Sequence, residues 1–312
     1  MIGPALDFIG RHATRFLAAG VLLGLAAPPL AHLARPLLVP ALLVPLTIAL
    51  TRLDWGAMSA YARRPLFVAA TVLWLLVASP VLVWAALAPL PLPQPLYHAL
   101  VLMAAASPIV SSAAIALLLG LDAALAVVVI VVATAALPFT LPVLALALLG
   151  IALELDLATF MLRLATMVGA AFAAALAVRR IVPRHAIARH ARALDALSVI
   201  NLVIFAVAIM DGVTAFAFER PGYVALATAA AFAANLALQA LGTAVWARLG
   251  MRAALTMGLM TGNCNMGLVM VALGRDAAFE VIVFFAMGQL PMYMLPGLLT
   301  PVYRRLAARE PG

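Results

Sequence analysis

The sequence predicts an all-α membrane protein of about ten transmembrane helices. Of its 312 residues, 67% are hydrophobic and 10% are charged, whereas a soluble globular domain has about 25% charged residues. The apolar residues fall in blocks of roughly 18 to 25, enough for a helix to cross a hydrocarbon core. Barrel strands would alternate over about ten residues, and that pattern is absent. Helices are the remaining way to satisfy the backbone in lipid.

Ten apolar blocks bounded by Arg, Pro, Asp or Gly define the predicted spans. The first two are divided only by Arg35 and Pro36, and the last two by Arg275 and Asp276. The first ten residues, with Pro4 and Asp7, do not resemble a cleaved signal peptide, so the first span is expected to stay in the chain. The predicted limits are 13–31, 36–53, 65–88, 95–119, 122–149, 157–181, 195–217, 222–247, 252–274 and 277–303.

The distribution of positive charge predicts the orientation. All 19 basic residues are arginine. With the N-terminus inside, most of them collect on one side, and the other side holds only Arg35, Arg220 and Arg275. Cytoplasmic loops retain positive charge, so both termini are predicted to be cytoplasmic, in a multi-pass protein of the inner (plasma) membrane. The run from Arg179 to Arg192 is a topology determinant first and a contact for anionic lipid second.

Other partners and cofactors find little support in the composition. The net charge of +8 does not indicate nucleic acid, because the arginines form short clusters between apolar blocks without interleaved aromatics. The histidines lie at span ends or in loops and show no metal-ligand spacing. Cys264 is interpreted as a small packing residue, since no base is near it in the sequence. No cofactor is expected.

An internal repeat relates the two halves. The stretch Ser111 to Ala124 aligns with Asn265 to Ala278 at a constant offset, which also places Pro142 on Pro296. Because five spans separate equivalent helices, the halves, 1–150 and 151–312, are predicted to have opposite orientations. The alternative is a chance match between apolar sequences.

In both halves the repeat is centred on a place where a helix should break. Pro108 removes a backbone donor from the fourth span, and Gly262 and Gly267 lower the cost of unwinding the ninth. Freed backbone groups and nearby polar side chains at that depth form natural ligand sites. The alternative is that these side chains are hydrogen-bonding contacts between helices. The candidate binding residues are Ser107, Ser111, Ser112, Thr261, Asn263 and Asn265.

Further polar residues lie within other spans. Asp211, near the outer end of the seventh span, is either a proton carrier or a solvated boundary residue, and the boundary is the favoured interpretation. Asn201, Asn235, Gln239 and Gln289 receive no role from the sequence.

At these residues the sequence resembles the bile acid:sodium symporter family. The matching segments are Gly24 to Ala31, Glu154 to Asp156, Ser111 with Gly120 to Asp122, and Thr261 to Asn265. The resemblance implies ten spans in two inverted five-span repeats, with broken and crossing helices 4 and 9. It also implies an organic anion as substrate and a sodium ion as the coupling ion.

The sequence departs from that family at the ion-site motifs. The family's fourth helix typically reads Pro-Gly-Gly-x-x-Ser-Asn, and here only Ser111 is retained while Ser112 replaces the Asn. Its ninth helix typically carries a Glu, where this chain has Met260. A thioether is a poor ligand for a hard cation. Backbone carbonyls with Thr261, Asn263 and Asn265 leave a weaker sodium site open.

The sequence therefore predicts a secondary transporter that moves a small organic anion by alternating access. The alternatives within transport are a proton-coupled or uncoupled carrier of another small solute. A non-transporting membrane sensor is a further alternative. A membrane enzyme is not expected, because no nucleophile with a base and no metal cluster is recognisable.

Overall fold

The computed structural model describes residues 13–53, 61, 63–150 and 156–308. The regular elements of this part of the chain are all helices. Pro4 and Asp7, which bear on the signal-peptide prediction, and Glu154, which belongs to the resemblance, lie outside these ranges.

Eight α-helices cover the described part of the first half. A 3-10 turn at Arg35–Leu37 joins α2 to α3, and a π-helical turn at Trp74–Ala78 joins α4 to α5. The helices are α1 Ala13–Ala26, α2 Pro28–Ala34, α3 Leu38–Thr51, α4 Pro65–Leu73, α5 Ser79–Leu87, α6 Gln94–Ala105, α7 Ser111–Leu118 and α8 Ala123–Leu149.

Ten α-helices cover the described part of the second half. Several helices in both halves begin with proline in the first turn, where its missing N–H has no intrahelical partner to lose. The helices are α9 Leu157–Ile181, α10 Arg184–Arg189, α11 Ala191–Ala208, α12 Val213–Glu219, α13 Pro221–Val245, α14 Met251–Gly262, α15 Met266–Leu273, α16 Phe279–Met287, α17 Gln289–Leu298 and α18 Thr300–Ala307.

Seven helical segments of the described chain are long and apolar enough to cross a membrane. A shorter apolar helix, Arg15–Ala26, lies near the first predicted span, and the predicted fourth and ninth spans are interrupted. The prediction of ten crossings in an inverted repeat stays a prediction. The seven segments are Pro28–Thr51, Pro65–Leu87, Ala123–Leu149, Leu157–Ile181, Ala191–Glu219, Pro221–Val245 and Phe279–Leu298.

The first helix break differs from the sequence-based boundary. The sequence suggested a division at Arg35 and Pro36, whereas the helix is interrupted at Ala27, directly before Pro28. The 3-10 turn at Arg35–Leu37 continues the helical path instead of ending it. Proline in a first turn starts a helix readily, and a tighter 3-10 turn accommodates the second proline without a loop.

The described chain divides into two compact units. The first contains residues 13–53 and 166–226, and the second contains 61, 63–150, 156–165 and 227–308. Each unit combines a part of the first half with a part of the second. The division into repeats at 150 and 151 is a statement about symmetry, so it stays a prediction.

In the first unit, α11 packs against α1, α2 and α3. Gly20 and Gly24 allow α1 to approach α11 closely, because a methyl group added at Gly24 would lie 2.7 Å from the carbonyl oxygen of Val207. This four-residue spacing of glycines is the small-residue contact by which helices approach each other in lipid. The buried side chains of Ala206 and Met210 lie beside these two glycines.

In the second unit, α8 packs against α6, α7 and α14, and α6 also contacts α5 and α16. Asp122 caps α8 by accepting a hydrogen bond from the backbone N–H of Leu125 at 2.9 Å. The core includes the fully buried side chains of Phe284, Phe285 and Leu137. The second unit contains both interrupted helices, and they carry all the candidate binding residues.

Candidate functional site

The first interrupted helix breaks between α6 and α7. Ala106 leaves the helix with an extended backbone (φ −74°, ψ 150°), and α7 starts at Ser111. Pro108 explains the interruption, because it has no N–H to donate and its ring clashes with the preceding turn. The predicted break in the fourth span is therefore present in the structure.

The second interrupted helix breaks between α14 and α15. Asn263 and Asn265 leave the helical region, with ψ values of 74° and 68°. The carboxamide oxygen of Asn265 then accepts a hydrogen bond from the N–H of Leu268 at 3.2 Å and caps α15. An asparagine cap satisfies one of the backbone donors that a helix leaves unpaired at its start. The predicted break in the ninth span is present as well.

The two breaks are hydrogen-bonded to each other. The N–H of Ile109 donates to the carbonyl oxygen of Asn263 at 2.9 Å, and the N–H of Asn265 donates to that of Ser107 at 2.7 Å. Pro108 and Cys264 thereby form an isolated antiparallel bridge. Backbone groups released from a helix at this depth need new partners, and here each break supplies them to the other. In the same region α6 packs against α15, and α7 packs against α14.

The structure brings the six candidate residues to these breaks, and their burial differs. Ser107, Ser112 and Asn263 have no exposed surface, whereas Ser111 is partly exposed. Thr261 and Asn265 are also buried. The group therefore lies at the paired breaks, as the repeat suggested, but Ser111 stands at its edge.

The hydroxyl groups of Thr261 and Ser107 are engaged in structural contacts. The hydroxyl of Thr261 accepts from the indole N–H of Trp74 at 3.0 Å and donates to the carbonyl of Met257 at 2.7 Å. The hydroxyl of Ser107 accepts a long hydrogen bond of 3.4 Å from Thr134. The Thr261 hydroxyl is thus used for helix packing. Cys264 is likewise buried, and its thiol donates to the carbonyl of Thr261 at 3.3 Å, in agreement with a packing role.

Two other residues hold polar atoms without a protein partner. Within the described chain, the hydroxyl of Ser112 and the side-chain nitrogen of Asn263 are buried and make no hydrogen bond. A buried polar group without a partner costs about 1–3 kcal/mol and calls for an explanation. Both groups lie at the breaks, where a ligand could satisfy them.

A series of buried, hydrogen-bonded side chains ends at the second break. The hydroxyl of Tyr303 donates to the carboxamide oxygen of Gln239, whose nitrogen donates to the side-chain oxygen of Asn235. The nitrogen of Asn235 then donates to the carbonyl of Gly262 at 2.9 Å and to the carboxamide oxygen of Asn263 at 3.3 Å. Sequence analysis assigns no role to these residues. Asn235 and Gln239 are one helical turn apart in an apolar span. This spacing indicates that both side chains lie on the same face of the helix and point into the protein.

Glycines let α13 and α14 approach closely at this point. A methyl group added at Gly262 would lie 2.6 Å from the carbonyl oxygen of Asn235, and one at Gly258 would lie 2.5 Å from that of Gln239. Gly258 and Gly262 are four residues apart and share one face of α14, as in small-residue contacts between membrane helices. This contact brings Asn235 within reach of Asn263.

Charged groups are absent from the paired breaks as far as the structure describes them. Met260, at the position where the resembling family has an acid, is 1% exposed. The described residues contain no cluster of His, Cys, Asp or Glu able to hold a metal ion. The breaks therefore offer neutral hydrogen-bonding groups and helix ends.

Asp211 belongs to the first unit. It stands in the turn between α11 and α12, with its side chain 18% exposed, and its carboxylate contacts Arg35 at 3.1 Å and His32 at 3.3 Å. The carboxylate is thus paired with an arginine that is half exposed, and the interpretation as a boundary residue stays a prediction.

Comparison with known proteins identifies the family. The model of the sodium bile acid symporter family matches residues 39–219, more than half of the chain and including the first break. Comparison with individually curated proteins finds no match. The matched region and the apolar helices of membrane length together mark a multi-pass membrane protein of a transporter family. The chain belongs to the sodium bile acid symporter family.

Proposed function

We propose that this protein is a secondary transporter that moves a small organic anion across the inner membrane by alternating access. The paired helix breaks form its central site, and both termini lie in the cytoplasm. The observation that carries the proposal is the buried, unpartnered hydroxyl of Ser112 beside two hydrogen-bonded breaks. Membership of the family supplies the anionic class of the substrate, and with it a transport function in place of catalysis.

The helix ends at the breaks suit an anion. Both α7 and α15 begin at a break, and the start of a helix carries a partial positive charge. No carboxylate of the described chain forms a hydrogen bond or ion pair with the candidate residues to oppose a negative ligand. A carboxylate or sulfonate oxygen would gain from the Ser112 hydroxyl and from these helix ends together.

Two features support the inverted repeat and the crossing of the interrupted helices. Gly120 and Gly274, which the repeat aligns, both have a left-handed backbone, with φ values of 72° and 62°. Each follows the second part of an interrupted helix and precedes an aspartate by two residues. The packing of α6 on α15 and of α7 on α14 fits two helices that cross at their breaks.

An uncoupled carrier is the second candidate, and Met260 favours it. Its buried thioether stands where the family has a negative charge, and a thioether is a weak ligand for sodium. The hydroxyl of Thr261, one of the groups left for a weak sodium site, is already engaged with Trp74 and Met257. Sodium coupling thus depends on backbone carbonyls and on Asn263 and Asn265.

The test compares two serines in proteoliposomes. Ser112 and Ser79 are both buried, and both have an unpartnered hydroxyl, but only Ser112 lies at a break. We expect S112A to lower the uptake of taurocholate about tenfold, since a hydrogen bond to a charged group is worth about 1.5–3 kcal/mol. The control S79A should transport like the wild type, and neither change should lower thermal stability.

Two outcomes count against the proposal, and a third decides the question of coupling. Equal transport by S112A and S79A removes the breaks as the substrate site. No uptake of taurocholate or smaller carboxylates by the wild type removes the anionic substrate class. Uptake that requires sodium removes the uncoupled carrier and keeps the symporter.

A further inference from the structure

The carbonyl group of Gly262 fixes the orientation of the buried side chain of Asn235, which is 27 positions away in the sequence. This carbonyl oxygen only accepts hydrogen bonds, and the side chain of Asn235 lies 2.9 Å from it. The atom of Asn235 that faces Gly262 must therefore be the nitrogen. The oxygen of the same carboxamide then faces Gln239.

The same reasoning determines the orientation of the next side chain, Gln239. Because the oxygen of Asn235 faces Gln239, Gln239 must present its nitrogen, and its oxygen accepts from the hydroxyl of Tyr303. A reversed Gln239 would place two acceptors in contact. Asn235, Gln239 and Tyr303 are at most 4% exposed, so water does not readily compensate for a wrong orientation.

Asn235 in turn determines the orientation of the side-chain amide of Asn263. The nitrogen of Asn235 also contacts the side chain of Asn263 at 3.3 Å, so Asn263 must offer its oxygen there. Its nitrogen is left over, buried and without an acceptor among the described residues. Asn263 is itself at the break, since its backbone carbonyl accepts from Ile109.

We infer that Asn235, held by Gly262, Gln239 and Tyr303, is a positioning residue that makes Asn263 present a hydrogen-bond donor at the break. The break therefore binds a hydrogen-bond acceptor, such as a carboxylate or sulfonate oxygen, and does not bind a sodium ion at this position. The inference rests on the proposed function for the identity of the ligand, but the orientation of the amide is independent of it.

Two variants, N263D and N235D, replace the hydrogen-bond donor at the break with an acceptor. Neither changes the size of the side chain appreciably. N263D keeps the acceptor that Asn235 needs and replaces the unpartnered donor with a second acceptor. N235D removes the donor both to Gly262 and to Asn263, and the new carboxylate is satisfied when the amide of Asn263 turns its nitrogen to it and its oxygen to the break. Q289E is the matched control, because Gln289 is also fully buried and its nitrogen donates only to a backbone carbonyl, that of Phe285.

The probe is the sodium ion alone. Thermal unfolding of the detergent-purified protein is compared in sodium chloride and choline chloride, since an ion that binds the folded state raises its stability. We expect equal unfolding temperatures for the wild type and Q289E. We expect sodium to raise that of N263D and N235D by about 2 °C or more. The double variant N235D/N263A, which keeps the new charge but lacks the amide, should lose most of this response.

Several results would overturn the inference. Sodium stabilisation of the wild type as large as that of N263D means that the break already presents acceptors. An equal response of Q289E means that any buried acid suffices. If N235D does not fold, N263D against Q289E still decides the orientation. Taurocholate uptake by the wild type is measured separately, so its absence counts against the proposed function while the sodium comparison still decides the position of the amide.

Discussion

The N–H of Asn265 donates to the carbonyl oxygen of Ser107 at 2.7 Å, and the side chain of Asn265 caps α15. One residue thus joins the two interrupted helices and starts the second part of one of them. This double use means that stability and ligand binding can be separated at Asn265 by the choice of substitution.

N265A and N265D should have different effects. N265A removes the cap, and we expect a loss of about 1 kcal/mol in the free energy of unfolding. N265D keeps a cap acceptor, so its stability should stay closer to that of the wild type. Its negative charge at the break should nevertheless reduce anion uptake more than N265A does. Thermal unfolding and proteoliposome uptake of both variants check this, and equal uptake by the two would contradict an anion at this position.

G262A should destabilise the protein through the contact of α13 with α14. The new methyl group would lie 2.6 Å from the carbonyl oxygen of Asn235, and overpacking of this kind costs about 1–3 kcal/mol. The control is G169A, because a methyl group there meets nothing within 4 Å. G169A should be neutral or stabilising by up to about 1 kcal/mol. Unfolding in denaturant measures both, and a neutral G262A would mean that the helices can move apart.

D211N should affect stability and leave the pH dependence of uptake unchanged. Asp211 pairs with Arg35, which is half exposed, so the loss should be about 0.5–1 kcal/mol. R35Q should cost about the same, and the double variant should cost little more than either single one, since both remove one pair. A shift in the pH profile of uptake by D211N, and not by R35Q, would instead assign Asp211 to proton transfer.

Alkaline pH should destabilise the protein through Tyr61. Burial raises the pKa of Tyr61, and its hydrogen bond to Asp122 at 2.6 Å and the charge of that carboxylate raise it further. A raised pKa in the folded state means that the contribution is complete below the unfolded value of about 10 and is lost as the pH rises above it. Between pH 8 and 11, the unfolding temperature of the wild type should fall, and that of Y61F should fall less. If the unfolding temperatures of the wild type and Y61F fell equally, the loss of stability at alkaline pH would come from other groups.

The membrane class and the family follow from the sequence because both depend on local composition. Apolar blocks of membrane length need no knowledge of contacts, and the Pro108 and Gly262 motifs mark the helix breaks through the backbone properties of those two residues. Pro28 shows the limit of this reasoning. It carried the same kind of signal, but only the structure shows that the helix is interrupted there and continues through Pro36.

The sequence by itself determined that this chain is a helical membrane protein with two interrupted helices and a set of polar residues at them. The tertiary structure alone decided which of those residues keep a free polar atom. Ser112 and Asn263 do, whereas the hydroxyl of Thr261 is engaged by Trp74. The physical reason is that a hydrogen-bonding group is available or engaged according to its neighbours in space, and Trp74 and Asn235 are distant in the chain from the groups whose roles they set.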